Sequence, residues 1–434
     1  MEQQLIQPEA ASGNAAAFWK NPSSWLQEQN LSRGYWVFFT IAFFFDAGFS
    51  IYYFLFNLYL LDLHFNERAM GLLGGAAILG SLVGTLPAGR LARKFGLRPL
   101  LIVCLATAPL LSALRTVWMW EFAQISLAFL GGLAMCIWGV CYLPAVARLT
   151  TEKNRTAAFS LIFSVSIGTN ILGGVLCGYL PRWLRMAGFS MNPAEVKRLI
   201  LLFSCGVAML GLLPLLRLRM PSQPAEEAQN ANKLSVGSWL RKWKPQPFLR
   251  RFLLSMALWS AVLAVFTPFA NVYLSRDLHI PMARIGLIFS MVQVLQLCMG
   301  LLTPMVFRAL GLVNGIVATQ IVTAFALAAL AEAHNGSLAV IFYLTFSAAQ
   351  WMSSPGLYNL VMNETPDRER STASAMTMFC NTLAGAAATT GGGVLFTRFG
   401  YPSVLLGLAA LALAVAILFR LLITPRQQVQ PAQP

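Results

Sequence analysis

The chain has 434 residues, 57% of them hydrophobic and only 11% charged, with a mean hydropathy of +0.64. A soluble domain carries roughly 25% charged residues, so this chain cannot hide its apolar surface in water and reads as a multi-pass membrane protein. At roughly 20 residues per span plus short loops, its length allows about twelve helices. The formal net charge of +15 raises nucleic acid as a partner. The basic residues sit between apolar runs and form no nucleic-acid-binding motif, so none is expected.

The first 33 residues are polar and alanine-rich, without the positive-then-apolar order of a signal peptide, so 1–33 reads as a cytoplasmic tail and the first span as the insertion signal. Phe18, Trp19 and Trp25 fit a segment lying along the headgroups or a disordered tail. Apolar runs then predict helices near 35–61, 69–92, 99–119, 122–147, 156–181 and 198–218, a first set within 34–218. The stretch 219–249 carries Pro221, Pro224, Pro245, Pro247, Glu226 and Glu227 and reads as a cytoplasmic linker. A second set follows within 250–423, near 250–275, 283–307, 312–331, 338–362, 372–397 and 402–423. A short tail, 424–434, ends the chain.

With both termini cytoplasmic, 22 of the 31 basic residues fall on the cytoplasmic side and nine outside, the distribution favoured by the positive-inside rule. The expected location is the cell inner (cytoplasmic) membrane. His64, His279 and His334 then lie in outer loops. The seven cysteines (104, 136, 141, 177, 205, 298 and 380) all fall in apolar stretches without metal-ligand spacing, so neither disulfides, zinc nor any cofactor is expected.

A repeat divides the chain in two. Asp62-Leu63-His64 recurs as Asp277-Leu278-His279, Gly71 as Gly286, Arg93 as Arg308, Gly96 as Gly311 and Arg155 as Arg370, each at an offset of 215. Slightly upstream, Asn57-x-Tyr59-Leu60 recurs as Asn271-x-Tyr273-Leu274 at 214. Six helices separate equivalent points, so both copies have the same membrane orientation and are related by an axis along the membrane normal. The expected fold is an all-α membrane protein with twelve transmembrane helices in two pseudo-symmetric six-helix bundles.

The loop after the second helix runs Gly89-Arg90-Leu91-Ala92-Arg93-Lys94-Phe95-Gly96-Leu97-Arg98-Pro99. Its two spaced glycines, basic residues and tight reversal resemble the signature loop of the major facilitator superfamily, and the resemblance extends from about Tyr35 to Ile423. It implies secondary transport of a small-molecule substrate by alternating access, by a monomer in a lipid bilayer. Three departures limit what it carries. Arg93 stands where the family usually has Asp. The fourth helix, around Gln124 to Gly132, lacks the arginine of the proton-linked signature. Thr169-Asn170-Ile171-Leu172-Gly173-Gly174 stands where drug antiporters tend to show Gly-Pro.

Asp46 is the one carboxylate well inside a predicted span. It lies 11 residues past Tyr35, roughly 16 Å at 1.5 Å per residue, near the bilayer middle. At 100° per residue Ser50, Tyr53 and Asn57 stand within about 40° of it. Such a polar stripe is expected to face a cavity, and Ser260, Thr267 and Asn271 are its counterparts in helix seven. A carboxyl group in low dielectric is costly to ionise, which suits proton coupling or a counter-charge for a cationic substrate; a local hydrogen-bond network is the plainer reading. Further cavity candidates are Gln293, Gln296 and Gly300, the series Trp351, Ser354 and Tyr358, and the pair Trp138 and Tyr142. Helix-to-helix packing explains these equally well. Arg115 and Arg398 lie near outer helix ends, where snorkelling to headgroups is the favoured reading. Gly168, Gly173, Gly174, Gly178 and Gly391 to Gly393 read as packing surfaces.

These features lead to an expectation of proton-coupled export of a small amphipathic or cationic solute, because the candidate cavity looks mainly aromatic. The alternatives are proton-coupled uptake of a sugar or metabolite, and a non-transporting receptor or assembly factor on the same fold. An enzyme is not expected. No paired metal-binding histidines lie on a helix, and no phosphate-binding glycine loop ends in Lys-Ser or Lys-Thr.

The signature loop also predicts a gate. Resemblance to the family places Gly89, Arg93 and Gly96 at the cytoplasmic end of helix two, against the start of helix eleven, where Glu364, Asp367 and Glu369 stand. By the repeat, Arg308 faces Glu152 at the other interface. Two latches are therefore expected, Arg93 with an acid among 364–369 and Arg308 with Glu152, closed in the outward-facing state. An exposed pair is worth at most about 1 kcal/mol, enough to shift a two-state balance roughly fivefold. Arg93→Glu is expected to favour inward-facing protein and Asp367→Arg or Glu369→Arg to restore the balance. Distances between labels on the cytoplasmic ends of helices two and eleven would report it, and an unchanged population in the single variant would rule the latch out.

Overall fold

Helix α1 (Arg33–Asp62) starts where the Ser32 hydroxyl accepts the Tyr35 amide, and it ends at a turn in which His64 takes a φ of 62°. The computed structural model describes residues 30–151, 154–186, 188, 192–218, 220, 247–365 and 370–423. The first half continues with α2 (Glu67–Phe95), α3 (Leu97–Val117), α4 (Glu121–Arg148), α5 (Arg155–Met186) and α6 (Pro193–Arg217). The second half holds α7 (Pro247–Arg276), α8 (Met282–Leu310), α9 (Leu312–Ala331) and α10 (Gly336–Glu364). The helical run Arg370–Leu422 breaks at Gly400, where φ is 73°, into α11 (370–399) and α12 (401–422). Helices α5 and α6 run further than the apolar pattern predicts, to Met186 and back to Pro193. Their extensions carry Arg182, Glu195 and Lys197, charges that end an apolar run without ending a helix.

Ten helical stretches among the described residues are long and apolar enough to cross a membrane. The last, Ala373–Leu422, is two spans joined at Gly400, and the 29-residue α10 completes twelve helices. The repeat is visible in the backbone. His64 and His279, 215 apart, are both left-handed, with φ of 62° and 49°. The same sharp turn on a glycine, with φ between 73° and 90°, recurs at Gly96, Gly188, Gly311 and Gly400. A side chain at any of these four would strain the backbone.

The loops carrying His64, His279 and His334 define one face of the molecule, the histidine face. The α2–α3 and α8–α9 turns lie at the opposite, signature-loop face. The halves meet along α2 with α11 and along α5 with α8, at the histidine-face ends of these helices. A Cβ on Gly71 would stand 3.0 Å from Gly393 Cα, and one on Gly286 would stand 3.1 Å from Gly178 Cα. The two contacts are the same contact under the 215 offset, and only glycine on both sides allows backbones this close. Gly71→Leu or Gly286→Leu is therefore expected to wedge the histidine face apart. Spin labels at Phe122 and Leu338, both exposed at the starts of α4 and α10, would show a longer distance in either variant; an unchanged distance distribution would contradict the closure.

Candidate functional site

Between the halves lies a cavity of about 370 Å³, lined from the first half by Ser50, Tyr53, Asn57 and Arg115 among others, and from the second by Thr267, Asn271, Phe289 and Gln293. It forms where α7 loses its regular ladder. Pro268 has no amide to donate and bends the chain through a 3₁₀ turn at Thr267–Phe269. Irregular backbone at membrane depth needs partners from neighbouring helices. Here the Pro268 carbonyl accepts the Asn57 side-chain amide from α1 at 2.8 Å.

That bond has a twin. Asn271 on α7 donates its side-chain amide to the Phe54 carbonyl on α1 at 2.9 Å. Each asparagine thus reaches the carbonyl three residues before its counterpart, so α1 and α7 clasp each other reciprocally. Around this clasp the histidine face is tied by further cross-half contacts. Ser290 on α8 donates to the Ile171 carbonyl on α5 at 2.8 Å, the Arg68 amide donates to Thr397 at 3.0 Å, and Arg276 pairs with the buried Glu67 at 2.6 Å. Among the described residues, no hydrogen bond or ion pair ties the halves together near the signature-loop face. Among the described residues, the bonds that join the halves lie at the histidine face.

Asp46 lies two turns from Tyr53 toward the signature-loop face, beyond the end of this cavity. It is half-buried, and its carboxylate accepts the Ser166 hydroxyl of α5. One turn along, Ser50 donates to the Thr169 carbonyl at 3.0 Å, so α1 and α5 are joined along this stripe within one half. Tyr53 is 57% exposed and opens into the cavity, while Leu55, on the opposite side of α1, is fully buried.

Other predicted residues sit elsewhere. Trp138 packs on Phe45 at 4.4 Å between ring centroids and Tyr142 on Trp138 at 5.1 Å, with the Tyr142 hydroxyl donating to the Ile162 carbonyl. These rings fill the contact between α4 and α1 and do not line the cavity. Ser260 and Gln296 are half-buried away from it. Trp351 and Tyr358 are exposed on α10, and the Trp351 indole nitrogen comes within 3.5 Å of where a Gly300 side chain would stand. Gly89 and Gly96 are half-buried around the signature loop, while Arg93 and Arg308 are exposed at its face. Their proposed partners Glu152, Asp367 and Glu369 lie outside the described residues.

Asn170 and Arg115 line the cavity and were not among the sequence candidates for it. Asn170 on α5 is exposed toward the cavity and donates to the Ser166 carbonyl of its own helix at 2.8 Å. Its only signal was a place in the segment Thr169 to Gly174, read for its departure from a motif. Arg115 is the larger correction. It does not reach outward to headgroups: it lines the cavity, with its guanidinium carbon 4.4 Å from the centroid of the Phe56 ring. The end of α3 that carries Arg115 is tied to α4, where the fully buried Gln124 donates to the Arg115 and Trp118 carbonyls.

The profile of the Major Facilitator Superfamily matches residues 38–389, four fifths of the chain. The chain belongs to that superfamily. Its fold is similar to a nucleoside transporter, NupG (16% identity, TM-score 0.73, covering 91% of this chain and 100% of that one). It is likewise similar to the inward-open xylose transporter XylE from E. coli (15%, 0.67, 91% and 96%). A bacterial homologue of the human lysosomal transporter Spinster, inward-facing and occupied, also matches (12%, 0.68, 89% and 95%). At these identities the likeness is one of fold. No curated protein sequence matches the chain.

The clasp gives a testable energetics. Interhelical hydrogen bonds in membranes average about 0.6 kcal/mol, so losing both shifts the closed-to-open balance roughly five- to tenfold. In Asn57→Ala/Asn271→Ala protein, a cysteine at Tyr53 is expected to react faster with a water-soluble thiol reagent supplied from the histidine face. Equal rates with and without the two asparagines would show that they do not hold the closure.

Proposed function

We propose that the chain is a secondary active transporter that carries a small polar organic solute across the inner membrane by alternating access, coupled to protons. The observation that carries this reading is the chemistry of the central cavity. Nine of its nineteen lining residues have hydrogen-bonding side chains, including Asn57, Asn170, Asn271 and Gln293. That is richer than the aromatic cavity expected from the sequence, and it favours uptake of a sugar-like or metabolite-like solute over export of an amphipathic one. The fold neighbours agree in kind, one being a nucleoside transporter and another a D-xylose–proton symporter. Export keeps one observation in its favour, the four phenylalanines Phe54, Phe56, Phe269 and Phe289 on the same walls.

With both termini cytoplasmic, as the basic residues favour, the signature-loop face is inside and the contacts at the histidine face close the outer side, an inward-facing arrangement. Asp46 then lies on the path between the cavity and the cytoplasm. A carboxyl group held by one hydroxyl can exchange its proton with cytoplasmic water when this face is open, and Ser166 ties its state to α5, one of the helices at the interface between halves. Proton release into the cytoplasm and solute release occur from the same open state, which is the order that symport requires.

Asp46→Asn is expected to abolish concentrative, pH-driven accumulation in proteoliposomes while leaving solute counterflow at least partly intact. D-xylose, a nucleoside and a small carboxylate serve as probes, with an internal pH dye reporting proton entry. Accumulation driven by the pH gradient at an unchanged rate in the variant would overturn the coupling role, and solute-dependent proton exit would favour export.

A further inference from the structure

The outer ends of the helices carry three cations with well-defined surroundings, and two of them have acids. Lys197 on α6 pairs with Asp62 at 2.7 Å, and Arg276 on α7 with Glu67 at 2.6 Å. Arg115 has neither an acid within ion-pair distance among the described residues nor a partner for its buried Nε. A cation at the C-terminal end of α3 gains from the helix dipole, and its stack on Phe56 adds a cation–π attraction. Neither neutralises the charge or satisfies a fork of donors built for a planar pair of oxygens. A cation without a counter-charge in a largely apolar wall is costly to keep, and this one faces the cavity between the halves.

From this we infer that the solute is an organic anion, and that Arg115 is the residue that takes its carboxylate. The inference rests on the transporter reading and names its substrate class. A guanidinium can make two parallel N–H···O bonds to a carboxylate, and Tyr53 lines the same cavity as Arg115. The amides of Asn57, Asn170 and Gln293 remain for the polar body of the solute. A single cation balances a monoanion; a phosphate dianion would leave a charge uncompensated in low dielectric. The volume of about 370 Å³ lies at the lower end for small-molecule sites, which limits the solute to a small acid. The Asp46 carboxyl is separated from this site along α1 by roughly 10 Å, for the seven residues to Tyr53 at 1.5 Å each, so proton and anion occupy different places on one path.

The sign of the cavity can be read without knowing the solute. In a chain with Cys298→Ser and Cys380→Ser, which removes the two cysteines that are not buried, Tyr53→Cys is treated with two methanethiosulfonates of similar size. One carries a sulfonate and the other a trimethylammonium. Relative to their rates with free cysteine, the sulfonate reagent is expected to be favoured about tenfold. Arg115→Gln is expected to erase the preference, and Arg115→Lys to retain most of it. A preference for the cationic reagent in Arg115-containing protein, or one unchanged by Arg115→Gln, would overturn the inference. The Arg115-containing protein alone decides the first point should Arg115→Gln fail to fold. Labelling in detergent involves no transport, so failed solute flux in liposomes with an intact sulfonate preference would sink the transporter reading and leave the anion site standing.

Discussion

Two side-chain amides hold the centre of the molecule. Asn57 and Asn271 each donate to a carbonyl of the opposite helix, at 2.8 and 2.9 Å, and the rest of the closed face is arranged about that crossing. In a bilayer a backbone carbonyl released from its ladder has no water to turn to. The Pro268 break therefore creates a need that α1 meets, and the symmetric need at Phe54 is met by α7. The Gly71–Gly393 and Gly178–Gly286 contacts sit on either side and let α2 with α11, and α5 with α8, come close enough for the clasp to form. Because these contacts lie at one face, the other can part without breaking either six-helix bundle internally.

Charge is placed in keeping with this closure. Glu67 is buried beneath Arg276 from the other half, a pair that joins the two halves at the histidine face. Lys197 and Asp62 lie within one half and persist through any relative movement of the two. The first pair contributes to the balance between states and the second to the integrity of a bundle. Arg115 belongs to neither group, and this is why its chemistry is left for the cavity.

Much of the fold was legible because membrane helices declare themselves by length and apolarity, and because the 215 offset in Asp62-Leu63-His64 and Asp277-Leu278-His279 fixed the relation of the halves. The offset even marked a backbone feature, the left-handed His64 and His279. Helix ends were less legible where Lys197 or Arg182 extends a helix past its apolar run. The site was legible on α1, where one stripe gave Ser50, Tyr53 and Asn57, since a helical face can be computed from spacing. It was not legible for Arg115, whose side chain lies against the Phe56 ring of α1, a neighbour that spacing along α3 does not name. Nor was it legible for Trp138 and Tyr142, whose contacts are with rings on α1: spacing along one helix does not say which neighbour a face meets.

The four glycine turns divide the chain more finely than its halves do. Gly96, Gly188, Gly311 and Gly400 stand between the second and third helix of each successive triplet, with φ near the same value each time. The unit that recurs is then three helices, used four times with alternate triplets inverted across the membrane. Inversion exchanges the two faces, so α1–α3 in one state and α4–α6 in the other are versions of a single arrangement. The opposite state is consequently already sketched in this one: each triplet on the backbone of its inverted neighbour would make a molecule shut at the signature-loop face and open at the histidine loops.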